Sequence, residues 1–175
     1  MYEIIIILCL ATVFFILLCK LPQTNSPAQD NEKVTDKLSD INYYKEAESF
    51  FKDKKYKEAE KYYIKAIAED TDNPKIYGRL GVVYFNQENF KDAREAFRMA
   101  IKLAPSNAFY HNNMGMVLYS VGKYKEAILY FENALKIDDS IGKRWLNLGL
   151  CYEKIGETKK AKECFLKSGL KKEDI

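Results

Sequence analysis

Gly81, Gly115 and Gly149 stand 34 residues apart. Further columns keep that spacing: Ala93, Ala127 and Ala161; Phe97, Phe131 and Phe165; Ala100, Ala134 and Ser168. Extended backward, the same columns hold Ala47, Tyr56, Ala59, Tyr63 and Ala66. A unit this short cannot bury its own apolar face. It must stack on a copy of itself, so the chain is predicted to form a linear array and not a closed single-core domain. Four units tile residues 40–73, 74–107, 108–141 and 142–175.

Each unit contains two segments with apolar residues three and four apart, the period of an amphipathic helix. The spacing predicts helices over 76–87, 91–103, 110–121 and 125–137. Short polar turns, Gln87-Glu88-Asn89 and Val121-Gly122-Lys123, separate them. The expected fold class is therefore all-α. The small-residue columns have a physical reason: glycine or alanine lets two helix backbones approach closely, and the aromatic columns fill the space that remains.

The fourth unit carries Trp145, Leu148, Gly149, Tyr152, Ala161 and Phe165. This resembles the tetratricopeptide repeat pattern W-x₂-L-G-x₂-Y followed by A-x₃-F. The second unit matches with Tyr77, Leu80, Gly81, Tyr84, Ala93 and Phe97, and the third with His111, Met114, Gly115, Leu118, Ala127 and Phe131. The first departs from it, with Tyr43, Glu46, Ala47, Phe50, Ala59 and Tyr63, and the closing proline appears only as Pro105. Glu46 suits a terminal unit, where a charge without a neighbour on one side stays solvated. The resemblance implies a right-handed superhelix of antiparallel helix pairs whose first helices line a concave groove. It covers about 136 of the 175 residues.

On that geometry the residues expected to face a partner are Tyr44, Phe51, Arg79, Phe85, Asn113, Met116, Tyr119, Lys143 and Asn147. Aromatic and apolar side chains mixed with amides and cations suit an extended peptide or a helix. Amides can bond its backbone, and rings can take its apolar side chains. Some members of the family grip a C-terminal carboxylate with a set of Lys, Asn and Arg. Only Asn113 and Lys143 match that set here, with Gly78, Val82 and Asn147 at the other places, so no such grip is expected.

Ahead of the array, Ile4 to Cys19 is an uncharged apolar run; with Tyr2 and Glu3 it can nearly span a ~30 Å hydrocarbon core. No basic residue precedes it, and Lys20-Leu21-Pro22 follows where a cleavage site would need small residues. The expectation is an uncleaved transmembrane helix over 1–21; a removed signal segment, leaving a secreted or periplasmic protein, is the alternative. Lys20, Lys33 and Lys37 place the array on the cytoplasmic side of a single-pass membrane protein. Residues 22–39, polar and with Pro22 and Pro27, read as a flexible linker reaching on the order of 25 Å.

A net charge of +3 is too small to argue for nucleic acid. The single histidine, His111, falls in the Trp145 packing column. Four cysteines, Cys9, Cys19, Cys151 and Cys164, form neither a disulfide framework nor a zinc spacing. No carboxylate pair, phosphate loop or nucleophile constellation stands out. The chain is therefore expected to be no enzyme, without metal, cofactor or small-molecule substrate, and to bind a protein or peptide partner as a scaffold or assembly factor. Lys159, Lys160, Lys162 and Lys167 crowd the last helix, as a solvated cap or a contact for anionic lipid.

Overall fold

The structure, a computed structural model, describes residues 42–169. The expected anchor and linker lie outside the described residues. Eight helices are present among those described: α1 Tyr43–Lys52, α2 Tyr56–Glu69, α3 Pro74–Asn86, α4 Phe90–Leu103, α5 Ala108–Ser120, α6 Tyr124–Ile137, α7 Gly142–Lys154 and α8 Thr158–Ser168. None of them is long and apolar enough to cross a membrane. Each helix packs on the next, and α5 also meets both α3 and α7, which sets the first helices of these pairs side by side.

The helices start one or two residues before their apolar periods do, because the caps lie outside the apolar pattern. The side chains of Asn42, Asn73 and Asn107 accept from Lys45 N (2.9 Å), Lys75 N (3.1 Å) and Phe109 N (3.0 Å). Each satisfies an amide that would otherwise lack a partner. Pro74 adds a preset φ at the first position of α3. Within each pair the turn needs one left-handed residue. That residue recurs at the 34-residue period as Lys54 (φ 58°), Glu88 (59°), Gly122 (76°) and Gly156 (82°). Only the last two use the residue that adopts this conformation without steric cost.

The aromatic columns close on the small ones. Tyr63, Phe97 and Phe131 are fully buried, as are Ala59, Ala93 and Ala127. A Cβ added at Gly81 would lie 2.8 Å from the Phe97 ring, one at Gly115 2.7 Å from Phe131, and one at Gly149 2.6 Å from Phe165. Glycine there is required by close approach, not by φ. The core runs as two contiguous clusters, one around Ala47, Tyr63, Leu80 and Val83, the other around Phe97, Leu118, Phe131 and Cys151, with Tyr84 packed against both.

The tryptophan column explains His111. Trp145 Nε1 donates to the carbonyl of Asp139, six residues back, at 3.1 Å. His111 Nε2 meets the carbonyl of Pro105, also six back, at 2.8 Å. A carbonyl only accepts, so Nε2 carries the proton and histidine replaces tryptophan as the same donor. Its Nδ1 is buried without a hydrogen-bond partner among the described residues.

In the fourth unit Ile141 stands where Asn73 and Asn107 cap earlier helices, and it makes no side-chain cap. The buried Arg144 holds the connection instead. Its Nη1 donates to the Asp138 carbonyl at 2.7 Å and to the Asp138 carboxylate at 2.5 Å. This bond first, and then the Ser140 hydroxyl and amide, depress the Asp138 carboxyl to about 2. The folded value lies below the ordinary ~3.9 of an unfolded aspartate. The stabilising contribution is therefore fully present above about pH 4 and lost as pH falls through about 2. Carboxyl NMR of the Asp138 side chain should titrate near 2, and Arg144→Ala should return the midpoint toward the ordinary range. An unchanged midpoint in that variant would refute the assignment.

Candidate functional site: the face of the first helices

Three side-chain contacts tie the first helices together. Arg79 Nε on α3 lies 2.9 Å from Glu48 Oε1 on α1. The Tyr110 ring on α5 covers Gly78 on α3. Asn147 Nδ2 on α7 donates to Asn112 Oδ1 on α5 at 3.1 Å. These contacts link the first helices along the face that the family resemblance assigns to a partner.

At the α1 end the floor is polar but closed. Tyr63 on α2 donates its hydroxyl to Glu48, and Tyr44 meets the Tyr63 ring edge-on at 6.0 Å. The Arg79 guanidinium lies 5.5 Å from the centre of the Phe51 ring. Burial, and then the Glu48 carboxylate, push the Tyr63 hydroxyl well above its usual range, so it stays a donor. Arg79 is consequently an ion-paired cation on a ring, with part of its surface still open.

The aromatic members of the expected site recur for a second reason. Phe51 meets Tyr56 at 6.0 Å, Phe85 meets Phe90 at 5.7 Å and Tyr119 meets Tyr124 at 5.3 Å, each edge-on. Each pair clamps the turn between the two helices of its unit, and such pairs add about 0.5–1.5 kcal/mol beyond burial. In the fourth unit Glu153 and Thr158 hold those places, without rings. Phe51, Phe85 and Tyr119 are all half-buried, so they offer an edge rather than a free ring.

The remaining residues divide by access. Lys143 is exposed, and Met116 is half-buried against the core. Asn113 donates Nδ2 to the Phe109 carbonyl at 2.7 Å, and its amide oxygen is an acceptor. Asn147 is only 7% exposed and committed to Asn112, so it positions the floor. Phe109, which the same family geometry also turns toward this face, is 45% exposed at the start of α5. Among the described residues no cluster of His, Cys, Asp and Glu could hold a metal ion.

Models of the Tetratricopeptide repeat match residues 44–108, 108–140 and 142–168. No curated protein matches the sequence. Among solved structures, a crystal structure of MamA is 25% identical with a TM-score of 0.70, over 72% of this chain and 74% of that one. A second MamA crystal structure is also 25% identical, with a TM-score of 0.69 over 72% and 69% of the two chains. The 41-end form of MamA from Desulfovibrio magneticus RS-1 is 21% identical with a TM-score of 0.69, over 72% and 71%, a likeness of fold alone.

Proposed function

Because the chain belongs to the tetratricopeptide repeat family, we propose that it is a protein–protein interaction module that seats a peptide or helix of a partner on the face of its first helices, as a scaffold or assembly factor tethered to a membrane. The reading is supported by the half-buried side chains of Phe51, Phe85, Met116 and Tyr119, with half-buried Arg79 and Asn113 and exposed Lys143, all on the first helices of the pairs. Apolar anchors beside backbone-bonding amides are what a bound segment needs. The tether is the uncharged run Ile4–Cys19, with the repeats on the cytoplasmic side, joined through residues 22–39.

Two measurements test the two parts separately. For the tether, the full chain should stay in the membrane pellet after alkaline carbonate washing; release, or a mature N-terminus near Gln29, would favour a secreted or periplasmic soluble binding protein. For the face, Asn113→Ala and Met116→Ala should each cost ~2 kcal/mol or more of partner binding if they are anchors. Arg98→Ala, exposed on α4, should cost nothing measurable. Phe85 and Tyr119 are poor probes, because their turn-clamping pairs mix stability into the result. Normal capture by both face variants, with helicity kept, would remove the face from the reading.

A further inference from the structure

Lys75, Phe109 and Lys143 are each the second residue of a first helix, in α3, α5 and α7, and stand 34 residues apart. Because α5 meets both α3 and α7, the three form a row across neighbouring helices: cation, ring, cation. With helix axes ~8–10 Å apart, the two lysines are separated by about 16–20 Å. At ~3.3 Å per residue that is about five or six residues of extended chain. Phe109 is 45% exposed. Both lysines are exposed and form no ion pair among the described residues.

The charge on these helices is one-sided. α3 carries Lys75 and Arg79 and no acid. α5 has no Lys, Arg, Asp or Glu. α7 carries Lys143, Arg144 and Lys154 against Glu153. Arg79 and Arg144 are taken by Glu48 and Asp138, which leaves the lysines.

Helix formation does not call for this placement. A cation in the first turn opposes the helix dipole, and an acid there is favoured. α2, α4 and α6 follow the rule with Glu58, Asp92 and Glu126. α3, α5 and α7 have no acid in the first turn. In the loops ahead of them, Asp70 accepts from Asn73 at 2.9 Å, and Asp138 is held by Arg144 and Ser140. Asp139 lines a cleft with Trp145, on the side of α7 away from Lys143. Asp72 is the carboxylate left beside the row.

Next to Phe109 a cleft of about 650 Å³ is walled by Ala104, Ala108 and Ile137, the last 40% exposed. Its one acid, Asp138, is paired with its one cation, Arg144, so the cleft is electrically neutral. The volume falls within the ~300–1,000 Å³ of ligand sites.

Resting on the reading of the first-helix face as a docking surface, we propose that the segment it seats is extended and acidic. An apolar side chain enters the cleft beside Phe109, and carboxylates about five or six residues apart meet Lys75 on one side and Lys143 on the other. Side-chain carboxylates serve, so no free C-terminus is required. A nucleic-acid strand, with a charge every ~3.4 Å, would lay phosphates over the uncharged α5 and fits less well.

The full chain in detergent micelles would be titrated against three peptides, each with fluorescein at the N-terminus and an amidated C-terminus. They are Glu-Glu-Ser-Leu-Phe-Leu-Ser-Glu-Glu, a Gln form with every Glu replaced, and the corresponding Lys form. Anisotropy should show the Glu form binding at least tenfold more tightly than the Gln form, and the Lys form more weakly still. Added salt should shrink the difference. Lys75→Glu with Lys143→Glu, both at exposed positions, should keep helicity and make the Lys form the preferred ligand. Equal binding of the Glu and Gln forms, or a Glu preference that survives the double reversal, would overturn the proposal. So would a Glu preference lost in Lys159→Ala with Lys160→Ala, which would put the acidic contact on α8. Binding of an oligothymidylate strand with none of the Glu form would overturn it as well. If the Glu and Gln forms bind equally and Met116→Ala weakens both, the face stands as a docking surface and only its acidic preference falls. Binding that ignores Asn113→Ala, Met116→Ala and the lysine reversals alike removes both.

Discussion

Phe131→Ala should destabilise the protein by about 3–5 kcal/mol, the largest single-residue loss expected in the chain. The ring is 0% exposed and sits in the third unit, where the core cluster includes Met114, Leu118 and Ala127 of its own pair, Phe97 before it and Leu148 after it. Truncation removes a ring that both neighbours close upon, and helices locked at a glycine crossing cannot collapse into the space. In an array whose stability is a sum of unit and interface terms, a central loss weakens two interfaces at once. Urea unfolding followed by far-UV dichroism checks it. Leu129→Ala, two residues earlier but 61% exposed, should move the midpoint by less than ~0.5 kcal/mol. Equal midpoints for the two variants would break the assigned register.

The architecture was legible because the repeat multiplies weak signals. One glycine eight residues into an apolar segment says little; three at a fixed spacing, each opposite a phenylalanine, specify a helix crossing. The left-handed turn column was half visible, at Gly122 and Gly156. It was invisible at Lys54 and Glu88, where ordinary residues hold the same φ. The ring pairs at these turns, Phe51 with Tyr56 and Phe85 with Phe90, blurred the site. A surface aromatic recurring at the repeat period has two explanations, partner contact and turn clamp, and only the ring geometry shows the second. Asn147 was unreadable for a related reason: its hydrogen bond runs to Asn112, 35 residues away on another helix, and no local pattern records it.

Gly115→Leu should be the second large loss, and its cause can be isolated. A Cβ alone would stand 2.7 Å from the Phe131 ring, closer than such contacts occur, so the ring or the helices must shift. Overpacking of this kind costs about 1–3 kcal/mol, occasionally more, and the rest of the leucine side chain pushes the value upward. Opposing it, leaving glycine inside a helix gains about 0.8–1 kcal/mol of propensity. The two contributions separate in the Phe131→Ala background. There the obstructing ring is absent, the leucine enters the vacated space, and only the propensity gain remains. Gly115→Leu should therefore be neutral or stabilising in that background, a coupling of about 1–3 kcal/mol between residues in contact. Additive energies from the four denaturation curves would mean that glycine recurs in this column for some reason other than the ring opposite it. A loss near zero in the wild-type background would mean that α5 and α6 do not cross where these residues place them.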